Sequence, residues 1–220
     1  MDISKQAFLV PRTPPDLQRY VDEAYTHICA DPEMVTAARL KKEPYKTFAE
    51  ELVPFATFCT WKYGSRLDIA CSLVPGTPGW DAIVKQRTTG IEHVVEITWP
   101  MNGKLETQQG HQLNQRGITD VTVWNSEDLT MHREAIDRVI HTAHKKALRD
   151  YHFAGGSTLI FVFDEMPLFT ADHPMHAKLL DGLAEQLKQI DLQVDNTLLM
   201  LMPKKTIVTI KNSETSTSNL

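Results

Sequence analysis

Cysteine is scarce: Cys29, Cys59 and Cys71 are the only three in 220 residues, and no two are spaced as CxxC. An odd count gives no complete disulfide framework, and the missing spacing removes the usual structural zinc signatures. The three are expected as reduced, buried thiols. No apolar run approaches the roughly 20 residues that span a bilayer. The opening MDISKQAFLVPRTPP lacks the long apolar core of a secretory signal. Together these features lead to the expectation of a cytoplasmic chain with no membrane partner. Neither GxxxxGK followed by Ser or Thr nor GxGxxG occurs, which leaves little basis for a nucleotide-cofactor enzyme. Excess positive charge is missing too: 23 Lys and Arg face 28 Asp and Glu, a net charge of -5. Broad, unspecific polyanion binding is disfavoured, although a local basic surface is compatible with that balance.

What is present describes an ordinary folded chain, with 42% apolar and 23% charged residues. Its length suits one substantial core with accessory segments. Leu17, Tyr20, Val21, Ala24, Tyr25 and Ile28 recur at helical spacing after Pro14-Pro15. Asp31-Pro32 starts a second helix, and a third begins near Tyr45, with Pro54 expected to bend or interrupt it. The pattern then changes to strands at 67 to 74, in WDAIVKQ and in HVVEITW. The polar stretch 102 to 117 has no clear period, and VTVW at 121 to 124 reads as a short strand or the approach to a helix. A helix over 131 to 151, the apolar run TLIFVFD, a helix over 174 to 190, TLLMLM and a final TIVTI edge strand complete the order.

Helices, then three strands, then helix, strand, helix, strand favours a three-layer α/β domain with a mixed sheet, because the later crossovers need sheet faces to cover. The expected division is an N-terminal helical extension at 1 to 44, an α/β core at 45 to 211 and a flexible tail at 212 to 220.

Within GWDAIVKQRTTGIEHVVEITWP, residues 79 to 100, Asp81 and Glu96 occupy two strand-like runs joined by a polar turn. A hairpin-like return can bring the two acids together. Val94, Glu96 and Thr98 share one strand face and Val95, Ile97 and Trp99 the other, which allows Glu96 to line a cleft. Paired Asp and Glu suit a hard divalent cation held through oxygen, and such a cation makes phosphodiester hydrolysis accessible.

At these residues the chain resembles the PD-(D/E)XK, or restriction-endonuclease-like, nuclease superfamily. The resemblance covers Asp81, Glu96 and the αβββαβ order from about residue 45 to 164. It implies a three-layer restriction-endonuclease-like fold and a Mg2+-dependent DNA endonuclease or related phosphodiesterase, with Mn2+ as a substitute metal. Carried onto this sequence, Asp81 and Glu96 become metal ligands, Ile97 offers its backbone carbonyl, and Glu51, or Glu50, is the acid of the preceding helix. A nearby lysine orients or activates the attacking water in that family.

The match departs from the pattern at two places. The nominal ExK is Glu96-Ile97-Thr98, and Gly79-Trp80 precedes Asp81. Threonine supplies neither the charge nor the proton handling of lysine. Helical periodicity places Lys146 near the flank of the apolar face formed by Ile136, Ala143 and Ala147, and Lys145 nearly opposite it. Displacement of the lysine to such a helix occurs within the superfamily, which makes Lys146 the leading candidate, with Lys145 behind it. Lys85 shares the strand parity of Asp81 and is the rival.

In QQGHQLNQRG, Gln108, Asn114, Gln115 and Arg116 are candidates for phosphate or base contacts, and His111 for metal or proton chemistry; a solvated helix or loop is the plainer reading. His132, His141 and His144 lack the facing geometry of a metal site, and His173 and His176 need no catalytic role. Lys41, Lys42 and Lys46, with Arg66, Arg87 and Arg116, form a basic set able to border a phosphate cleft. For that set a solvated basic surface is the plainer reading; it is the resemblance that implies DNA as the partner, and a homodimer would suit double-strand cutting. The alternative is a catalytically inactive, nuclease-like module that binds nucleic acid or a specific protein.

Overall fold

The computed structural model describes residues 1–74, 76, 79–101, 103–117, 130–164, 174–202 and 204–212. The expected element at 121 to 124, most of the PGTPG turn, Trp124, His173 and residues 213 to 220 of the tail lie outside the described residues. The protein is α/β: six strands form one mixed sheet in which spatial order follows chain order. The chain packs as two compact units that interleave along the sequence.

The first unit is largely helical. Ser4 caps a short α1, Lys5–Phe8, through its Oγ, which accepts from the Ala7 N–H at 3.2 Å. Thr13 caps α2, Pro14–Ala30, where prolines in the first turn sacrifice N–H groups that lack intrahelical partners anyway. Leu17, Val21, Ala24 and Ile28 form its buried stripe. Cys29 is exposed, one position and about 100° round the helix from Ile28, whereas Cys59 and Cys71 are buried. Only two of the three thiols are therefore buried. Asp31 caps α3, Pro32–Arg39, by accepting from the N–H groups of Glu33 and Met34.

Pro54 has the expected interrupting effect in an unusual form. Between α4, Tyr45–Thr47, and α5, Val53–Tyr63, lies a π-helical turn over Phe48–Leu52, in which the Val53 N–H reaches back to the Phe48 carbonyl. Proline has no N–H to continue an α-helical ladder and its ring crowds the carbonyl four residues back, so a widened turn relieves both problems. Residues 54 to 59 of α5 are all buried, as befits a helix apolar on every side. The unit's strands β1, Ile69–Leu73, and β2, Ala82–Gln86, pair antiparallel, with Cys71 opposite Val84. The backbone of Arg12 bridges Cys71 on the other side of β1, with bonds of 3.0 and 2.7 Å.

The unassigned polar stretch forms α6, Gly103–Arg116. It packs on α3 through Gly110, where an added Cβ would lie 2.3 Å from the Arg39 carbonyl oxygen. Backbone approach, rather than an apolar stripe, locates this helix.

In the second unit β3, Glu92–Thr98, runs parallel to β4, Ser157–Asp164, which runs parallel to β5, Asn196–Met202; β6, Thr206–Asn212, returns antiparallel. The crossovers contain α7, Thr130–Ala147, and α8, Pro174–Lys188. Val139 and Ala143 of α7 and Leu183 and Leu187 of α8 join Leu159, Phe161, Leu199 and Leu201 in one core. Ile160 and Val162, on the opposite face of β4, are buried as well, which explains the nearly continuous apolar run. At the start of β4, the Ser157 N–H donates to Asp195 at 2.7 Å, while His93 and Thr158 hydrogen-bond side chain to side chain.

Candidate functional site

In β3, residues 94 to 97 are all buried, so the strand is covered on both faces and Glu96 is only 5% exposed. Alternation allowed Glu96 a cleft-facing position; instead its carboxylate meets cations brought by the end of α7 and the residues after it. Lys146 donates to Glu96 Oε1, and Arg149 Nη1 donates to the same oxygen at 2.9 Å. Lys146 is itself largely buried, whereas the Arg149 side chain is 52% exposed. Two cations on one carboxylate leave this cluster one positive charge in surplus.

The other oxygen, Glu96 Oε2, is buried without a hydrogen-bond partner among the described residues, and so is Tyr151 Oη. Burial first, and then the neighbouring Glu96 carboxylate, pushes the Tyr151 phenol up, which keeps it protonated at neutral pH. The two groups influence one another without adopting full hydrogen-bond geometry. Trp80 packs on the Tyr151 ring at a centroid distance of 5.5 Å and helps to exclude water.

The first unit holds a different acidic arrangement. Glu50 and Glu51 both lie on the π-helical turn, and Glu50 pairs with Lys41 at 2.9 Å. Glu51 is half-buried, and its carboxyl is pushed up to about 7, chiefly by burial, then by the charges of Asp81 and Glu43, with Lys5 opposing. Asp81, just before β2, is half-buried and its carbonyl accepts from the Val74 N–H at 3.0 Å. Lys85 is exposed on β2, opposite Ala70.

Ile97 is buried in the β3–β4 ladder opposite Ile160, and Thr98 is half-buried at the strand end. Gln108, His111, Gln115 and Arg116 are exposed on α6, while Asn114 Nδ2 donates to the Thr36 carbonyl at 3.3 Å and fastens α6 to α3. Lys145, His141 and His144 are exposed on α7; the side chains of His132 and His176 lie outside the described residues. Sequence reasoning missed Arg149 and Tyr151. Arg149 was within reach, since it lies three positions beyond Lys146 and its N–H closes a turn on the Lys146 carbonyl at 3.0 Å.

Among the described residues no three His, Cys, Asp or Glu side chains converge as a metal cage. A hard cation that draws on carboxylates, backbone carbonyls and water needs no such cage. Carboxylate oxygen is the donor type such a cation takes: in the second unit Glu96 keeps an unpartnered buried oxygen, and in the first unit Glu51 and Asp81 carry mutually unfavourable negative charge. Set against known proteins, the chain matches no family model, no curated protein and no solved structure at a significant level.

Proposed function

We propose that the chain is a Mg2+-dependent phosphodiesterase acting on DNA, with a three-layer restriction-endonuclease-like core. The observation that carries this reading is the contact between buried Glu96 and Lys146. It supplies from two elements the acid and lysine that Glu96-Ile97-Thr98 does not supply in line. The candidates for holding a cation are those the resemblance puts forward: Asp81, Glu51, Glu96 and the Ile97 carbonyl. Bound Mg2+, or Mn2+ in its place, would lower the pKa of water and stabilise the oxygens around phosphorus. Lys146 serves to orient that water or to neutralise a phosphate oxygen, work that Thr98 cannot do. Lys85 is the alternative for this role. Gln108, Asn114 and Arg116 are the proposed substrate contacts on α6. The same reading takes a cytoplasmic location and a homodimer for cutting both strands.

The test is cleavage of linear, circular, single-stranded and branched DNA with Mg2+ or Mn2+. D81A and E96A are each expected to abolish cleavage while circular dichroism shows a folded chain. K146A should lower turnover more than metal affinity. Full activity in both D81A and E96A rejects the assignment.

A second reading has its own observation. Lys146 and Arg149 compensate the Glu96 charge from within the chain, as in a scaffold that binds nucleic acid without turning it over. DNA binding with no metal-dependent cleavage favours it, and specific capture of a protein without DNA binding turns the assignment to an assembly module.

A further inference from the structure

Lys146 alone suffices to neutralise Glu96, so the presence of Arg149 on the same oxygen calls for its own explanation. The two cations differ in setting. The Lys146 side chain is 14% exposed, whereas the Arg149 side chain is 52% exposed. Through Nη1 Arg149 donates one bond to Glu96, leaving most of its five N–H donors uncommitted to that carboxylate. It follows the end of α7, in a segment that also exposes Leu148 and Phe153, and is not locked inside a helix. A planar guanidinium with spare donors, one surplus positive charge and access to solvent matches the needs of a phosphodiester oxyanion.

We propose that Arg149 is a phosphate-contacting residue: it rests on Glu96 in the free chain and transfers to a backbone phosphate when DNA binds, while Lys146 remains to neutralise Glu96. The exchange replaces one charge-assisted hydrogen bond with another, so little is lost when Arg149 leaves the carboxylate. Departure of Arg149 also lightens the positive charge on Glu96 as the substrate arrives. The choice of DNA as the anion rests on the phosphodiesterase reading; the transfer itself is independent of turnover.

The experiment measures binding of a fluorescein-labelled duplex oligonucleotide by anisotropy in EDTA, across a salt series, for the full chain and for R149A and R149K. Each phosphate neutralised contributes a slope of about -0.9 to log K against log salt. R149A is expected to weaken binding roughly tenfold at low salt and to flatten the slope by about one. R149K keeps the charge but not the fork, and should preserve the slope while losing about threefold in affinity. An unchanged slope in R149A overturns the proposal, and so does unchanged affinity in R149K, which remains decisive if R149A fails to fold. A flattened slope in a chain that cleaves nothing with any metal upholds Arg149 and rejects the phosphodiesterase. Cleavage abolished in E96A, with wild-type slope in R149A, rejects Arg149 alone.

Discussion

Lys146 on α7 places its ammonium on Oε1 of Glu96 in β3, and both side chains are largely buried. The contact joins positions 50 apart in sequence. It combines charge compensation inside the second unit with the acid-lysine pairing on which the functional proposal rests.

Removing one member of a buried ion pair strands the other, at a cost of about 3 to 5 kcal/mol when no substitute exists. Arg149 is a substitute for Lys146 here, so K146M should destabilise the chain by only about 2 kcal/mol. E96Q leaves two cations uncompensated and should cost more. The double variant E96Q/K146M should be less destabilised than the sum of the two singles, a coupling read from urea midpoints at constant m.

Glu51 makes stability depend on pH. Its folded-state carboxyl titrates near 7, above the ordinary value of 4.5, so the folded chain holds the proton more tightly than the unfolded one. The stabilisation that follows is complete below about pH 4.5 and is lost as pH rises through about 7. Because the side chain is partly solvated, the loss should be on the order of 1 kcal/mol rather than the full linkage value. Denaturant titrations from pH 5 to 8 should show this loss in the wild type and a flatter profile in E51Q, with E51Q the more stable at pH 8. An identical profile in E51Q would contradict the assignment.

Gly110 should tolerate no side chain. A Cβ there meets the Arg39 carbonyl at 2.3 Å, and because that atom is backbone, either α3 or α6 must move. G110A is expected to cost about 1 to 3 kcal/mol despite alanine's better helix propensity. At Gly103, where no atom lies within 4 Å of an added Cβ, alanine should be nearly neutral. Thermal denaturation of the two variants compares them on the same helix.

Local periodicity and end signals made most elements legible. Pro14-Pro15 and Asp31-Pro32 announce α2 and α3, and the apolar runs of β4 and β5 announce strands covered on both faces. α6 was illegible because its fixed point is a missing side chain rather than an apolar stripe. The π-helical turn lay hidden behind Pro54, whose sequence signature says interruption but not its form. At the candidate site, the resemblance puts Glu96 forward and helix period prefers Lys146 to Lys145, and both residues lie inside regular elements. Arg149 and Tyr151 come after α7 has ended, where neither period applies and only the fold brings them to Glu96.

The bridge from Arg12 to Cys71 bears on the edge of the sheet. β1 is the outermost strand of the sheet, and an uncovered outer strand is a template on which another chain can add itself. Arg12 occupies part of that template, held there by α1 before it and the Thr13 cap after it. The first dozen residues thereby act as a built-in guard against edge-to-edge aggregation, a role independent of any chemistry at Glu96.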